Sequence, residues 1–205
     1  MPIATVISLV ALAVSATTAW LTLFRRGTVR MTHPTVIFFG PDRPPSQGAG
    51  VKLFLRTLLY STSKRAQILE SMCVTLRRRE SVQTFNIWVY GEAGSLVRGS
   101  GLRISEEGFA ADHQFVLPMD GTRFVFLPGD YIVEVYARLV NSARSLLISK
   151  TGLQLSHEQA AAIAGGSGVY FDWGPDSKSY HAHVRHAVPG SPEPEDRGLR
   201  GLLRE

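Results

Sequence analysis

Residues 2–24, PIATVISLVALAVSATTAWLTLF, carry no charged side chain. Wound as a helix at about 1.5 Å per residue, they reach roughly 34 Å, enough to cross a hydrocarbon core of about 30 Å. A cleaved secretory signal would bring a positive segment first and a shorter apolar run after it. Here Met1 leads straight into the run, so the expectation is an uncleaved signal anchor: one transmembrane helix over 2–24. The basic residues come afterwards, as Arg25, Arg26 and Arg30. Positive flanks stay on the cytoplasmic side, which places the remainder of the chain in the cytoplasm at an inner membrane. Ala4, Ser8, Ala11, Ser15 and Ala19, with Thr18 and Thr22, recur at helical spacing. Such a stripe of small residues lets a second helix approach closely, which suggests self-association as a homo-oligomer or docking on a partner helix. Trp20 suits an interfacial position.

The remaining residues read as a globular domain, since 44% of the chain is hydrophobic and only 19% charged. Residues 25–34 form a basic juxtamembrane linker, 35–187 the domain, and 188–205 a tail whose proline, glycine and charge predict disorder. Within the domain, apolar and β-branched runs recur between turn signals: TVIFF, VKLFLRTLLYS, ILESMCVTLRR, SVQTFNIWVYG, SGLRIS, HQFVLP, TRFVFLPGDYIVEVYARLV and SLLISKTGLQL. TRFVFL and DYIVEVYARLV, joined by Pro128 and Gly129, form the clearest strand pair. One helix is predicted in HEQAAAIA, with Ser156 as its cap and Gln159 closing a capping box. Regular strands with one short helix point to a mainly β, antiparallel sandwich. The lone Cys73 lies in an apolar run and is expected buried; it leaves no intramolecular disulfide and no multi-cysteine zinc site.

PGDYIVEVYA resembles the turn and strand entry found late in immunoglobulin-like and fibronectin-type sandwiches. The resemblance implies an immunoglobulin-like sandwich and carries over no functional residue. The whole chain resembles a bacterial single-pass membrane protein, and no family function follows from that.

Three histidines crowd into YHAHVRHA behind the turn GPDSKS. Pairing VYFDW with YHAHVR puts Phe171, Trp173, Tyr180, Ala182 and Val184 inward, and Tyr170, Asp172, His181 and His183 on the outer face, with His186 opposite to them. Asp172, His181 and His183 are therefore the alternative reading as a metal site, serving a metal-dependent enzyme or sensor. The favoured reading is a solvated cross-strand face, with no metal and no cofactor. No nucleophile elbow, phosphate loop or zinc-protease signature accompanies them, and the chain is not expected to be an enzyme. Glu106, Glu107, Asp112 and His113 could meet across a hairpin, though a scattered acidic turn is the simpler reading.

Arg77, Arg78 and Arg79 read as a solvated turn. No aromatic residues interleave with them, so nucleic acid is not an expected partner. Alternation puts Phe85, Ile87 and Val89 on one face and Trp88 and Tyr90 on the other; Trp88, Tyr90, Tyr136 and Tyr170 are the expected exposed anchors for an unidentified protein partner. The function expected is a membrane-anchored interaction module, with an envelope-facing structural domain as a further alternative.

Overall fold

A computed structural model describes residues 2–24, 27–42, 50–91, 95–118, 120 and 122–185. Helix α1 (Ile3–Ala19) continues as a π-helical turn over Trp20–Phe24. Ile3–Thr22 is the one helix among the described residues long and apolar enough to cross a membrane. Every residue of α1 is exposed, the small-residue stripe included. Four of its hydroxyls are satisfied internally: Ser8 donates to the Ala4 carbonyl at 3.0 Å, and Thr17, Thr18 and Thr22 each donate one turn back at 2.8 Å. A hydroxyl so engaged costs little in hydrocarbon. Arg25, Arg26, His186 and the tail 188–205 lie outside the described residues.

The strands are β1 (Val29–Met31), β2 (Val36–Pro41), β3 (Val51–Ser61), β4 (Gln67–Arg78), β5 (Ser81–Phe85), β6 (Ile87–Gly91), β7 (Val97–Arg98), β8 (Leu102–Ile104), β9 (Phe109–Val116), β10 (Gly129–Leu139), β11 (Leu146–Leu155), β12 (Gly168–Gly174) and β13 (Ser179–Arg185); α2 (His157–Ala164) connects β11 to β12. They form two antiparallel sheets. One runs β13-β12-β2-β3-β9-β6-β7, with β1 also on β3; the other runs β11-β10-β4-β5, with β8 also on β4. The sheet therefore begins at Val29, inside the stretch expected to be linker, and α2 has the predicted capping box.

Register explains the core. In the larger sheet Val169, Phe39, Leu53, Phe115 and Trp88 form one inward row, and Phe171, Ile37, Leu55, His113 and Tyr90 the next. Facing them are Tyr131, Val133, Val135 and Ala137 of β10 and Met72, Val74 and Leu76 of β4. Each valine, leucine, isoleucine, methionine or phenylalanine among them, once fully buried, stabilises the fold by about 1.5–3 kcal/mol before the entropy of ordering is counted.

Two segments depart from the alternation in the sequence. SVQTFNIWVYG is two strands, not one, because the chain crosses between sheets at Asn86. The crossing resets parity, so Phe85 and Trp88 both point inward although they are an odd number of residues apart. TRFVFL is not a strand: residues 122–127 pair with nothing in either ladder. They carry the chain from β9 in one sheet to β10 in the other, and anchor themselves by burying Phe126. Tyr131 locks this corner. Its phenol accepts from the Leu127 N–H at 2.9 Å and donates to the Leu127 carbonyl at 2.7 Å. Tyr131→Phe is expected to cost about 1–2 kcal/mol, read as a lower unfolding midpoint of the full chain in detergent micelles. An unchanged midpoint would mean that the corner is held by the rings alone.

Candidate functional site

The two sheets leave one side of the sandwich open. Edge strand β11 flanks this gap on one side, and the hairpin of β12 and β13 flanks it on the other. Phe171 reaches the core, stacking edge-on against Phe39 at 5.1 Å. One pleat further out the opposite sheet no longer covers the hairpin. Ala182, expected inward, is consequently exposed, and Trp173, Tyr180 and Val184 are only half-buried. Phe171, Trp173, Tyr180 and Ala182 border an open cleft of about 1070 Å3.

Its aromatic wall is fixed. His33 stacks flat on Trp173 at 4.9 Å, and Trp173 meets Tyr180 at 5.0 Å. The Tyr180 phenol donates to the Pro34 carbonyl at 2.8 Å and shares a hydrogen bond with Thr151, while burial pushes its pKa up. The charged residues of the lining are mostly cations: Arg78, Arg79, Lys150 and Lys178, with Asp130 as the one carboxylate. The three arginines expected to form one solvated turn diverge. Arg77 turns to the outer face and donates to Glu134 at 2.8 Å. Arg78 ties the β4 tip to the corner through the Pro128 carbonyl at 3.0 Å. Arg79 forms the turn itself. Arg79 and Lys178, each at φ 51°, are the only non-glycine residues with positive φ among the described residues. Neither has an ion-pair partner there.

The expected anchors do not make one surface. Trp88 is 3% exposed and belongs to the core. Tyr90 packs beside it at 5.0 Å, for the parity reason given above. Tyr136 is half-buried on the outer face of the smaller sheet, donating to Glu134 at 3.1 Å. Hydrogen bonding from Arg77, with Tyr136 and Lys150 adding to it, holds the Glu134 carboxyl below its ordinary pKa. Tyr170 lies on the outer face of the larger sheet, between Phe38 at 4.8 Å and His183 at 5.6 Å. Cys73, expected buried, is half-exposed opposite Tyr136, and partial burial raises its pKa.

The histidine hairpin pairs as its alternation predicts, Asp172 opposite His181 and Tyr170 opposite His183. The two imidazoles nevertheless have different partners: His183 Nδ1 lies 3.1 Å from Asp172, and His181 Nε2 lies 2.9 Å from Ser177 Oγ. Among the described residues no three histidine, cysteine or carboxylate side chains are placed to hold a metal ion. Ser177 and His181 do not extend to a triad, because the nearby Asp172 binds the other histidine. Asp112 and His113 are neighbours on β9 and so face opposite ways, which separates that acidic group. Asp112 pairs with Arg56 at 2.7 Å, and His113 enters the core.

The sequence signals for the cleft were the triple arginine and the GPDSKS turn. Nothing local shows that these two tips border the same gap. Comparison with protein-family models, curated proteins and solved structures finds no match to the chain.

Proposed function

We propose that this chain is a membrane-anchored, immunoglobulin-like interaction module that holds an anionic partner in the cleft. The length and apolarity of α1 support the anchor, and the basic residues after it favour a cytoplasmic domain. The exposed stripe on α1 leaves room for a second copy of the helix. The strand order supports the immunoglobulin-like reading: β2, β3, β9 and β6 stand where strands A, B, E and D would, and β5, β4, β10 and β11 where C′, C, F and G would. Tyr131 then sits at the start of F, the place of the tyrosine corner in such folds. The paired cysteines of antibody domains are absent, and α2 with its hairpin is an addition beside strand A.

The observation that carries the binding reading is the backbone of Arg79 and Lys178. A left-handed conformation costs a non-glycine residue about 1–2 kcal/mol, which glycine avoids. At both tips the chain carries a cation instead, with no ion-pair partner among the described residues and on the rim of the same cleft. Strain kept where a charge faces an open cleft is a mark of function.

The test uses the full chain in phosphatidylcholine nanodiscs, with labelled hexaglutamate as the probe. Replacing both residues (Arg79→Gly, Lys178→Gly) is expected to weaken binding about tenfold, as two exposed charges of up to about 1 kcal/mol each allow. The unfolding midpoint should hold or rise. Unchanged affinity, or no binding by the unaltered chain at low salt, overturns the reading. Release of the chain from cell membranes by alkaline carbonate would overturn the anchor, and a reporter fused after Pro189 that is active only outside the cytoplasm would overturn the orientation.

A further inference from the structure

The cleft wall formed by β11 is a strand edge. Among the described residues β11 pairs with β10 alone. Alternate residues of an edge strand turn their N–H and C=O groups away from the sheet, where water or another strand must meet them. Residues 150–155 all line the cleft without a break. Side chains of a strand alternate between faces, so an unbroken lining means that the backbone edge itself borders the gap.

The usual protections of an edge are weak here. The segment Lys-Thr-Gly-Leu-Gln-Leu contains no proline, and Lys150 is drawn to Glu134 at 3.5 Å on the outer face of the sheet. Gly152 sits in the middle of the segment. A Cβ there would meet nothing within 4 Å, and its φ is outside the left-handed range. Neither the packing nor the backbone of this chain asks for glycine. In a strand interior glycine costs stability and recurs where another backbone comes close.

We infer that the partner enters as an extended acidic peptide that adds a strand to β11 along residues 150–155, its carboxylates turned towards Arg79 and Lys178. This rests on the anion-binding reading of the cleft and names its ligand. Six residues of strand span about 20 Å. A headgroup or a free phosphate would engage the cations and leave the edge unused. Strand addition uses both, taking affinity from main-chain hydrogen bonds and specificity from the alternate side chains.

The test keeps the full chain in phosphatidylcholine nanodiscs and compares three peptides of equal charge. The parent is acetyl-Glu-Val-Glu-Val-Glu-Val-Glu-amide. Two isomers carry backbone N-methyl groups, one on the glutamates and one on the valines. Only alternate residues of an added strand face β11, so one isomer should bind at least tenfold more weakly than the parent and the other about as well. Hydrogen exchange should slow in residues 150–155 when the parent binds. Equal binding of all three overturns strand addition while leaving the anionic cleft intact. Failure of the parent to bind overturns both. Tighter binding of oligothymidylate than of the parent, with no slowing in 150–155, overturns the peptide as the partner.

Discussion

Phe39→Ala is expected to destabilise the domain by about 4 kcal/mol, the middle of the range for emptying a phenylalanine site in a core. Phe39 of β2 is fully buried where its strand meets two other stretches of chain, the crossover leading into β10 and the strand β12. Its ring meets Phe126 of the inter-sheet crossover at 4.9 Å, Tyr131 of β10 at 5.8 Å and Phe171 of β12 at 5.1 Å. Those neighbours are themselves rings and cannot collapse far into the space, so the cavity term should be large. Phe171 also links the core to the cleft, because Trp173 lies two residues beyond it on the same face. The variant should therefore loosen the aromatic wall as well as lower stability. The measurement is urea unfolding of the full chain in micelles, followed by tryptophan fluorescence. A loss below about 1.5 kcal/mol would mean that the neighbouring rings close over the space and leave little cavity behind.

Much of this fold is legible in the sequence because strand alternation is a local property. Phe39, Leu53, Leu55, Val133 and Val135 are inward in the structure and apolar at alternate positions in the chain. The pairing of Asp172 with His181 follows from the GPDSKS turn, since a hairpin fixes its own register. What the sequence conceals are the places where the chain changes sheets. At Asn86 a strand-like run continues unbroken in composition while its inward face flips, which turned Trp88 from an expected surface anchor into core. At residues 122–127 the pattern Phe-Val-Phe has the look of a strand, yet it is a crossover whose phenylalanines fill the core from the side. The cleft was hidden for a different reason. Arg79 and Lys178 are far apart in the chain, and only the placement of β11 and the β12–β13 hairpin on the same side of the sandwich puts them on one rim. The exposed cations on their own read as ordinary turn residues.

Acid is expected to weaken this domain through His113 by about 3 kcal/mol. The sequence offers no hint of this, because a lone histidine in HQFVLP could face either way. In the structure it is 0% exposed, between Leu55 and Tyr90 in the inward row. Its Nδ1 accepts the Trp88 Nε1 hydrogen at 3.1 Å, which requires the neutral ring with its proton on Nε2. That second nitrogen has no hydrogen-bond partner, so nothing offsets a charge placed there. Desolvation accordingly lowers the pKa from 6.5 to about 4. Above pH 6.5 both folded and unfolded chains hold a neutral imidazole, and pH has no purchase on this group. As pH falls from about 6.5 to about 4 the unfolded chain takes up the proton first, and folding loses stability throughout that window. His113→Gln gives a comparator that keeps a neutral acceptor for Trp88 and does not titrate. Carboxylates elsewhere titrate equally in both proteins, so the difference between their unfolding free energies isolates the histidine. The variant should be the less stable protein at pH 7.5 and should recover about 3 kcal/mol relative to the unaltered chain by pH 4. A difference that does not change with pH would mean that His113 reaches water in the folded state. It would also mean that the Trp88 contact is not what holds the ring neutral.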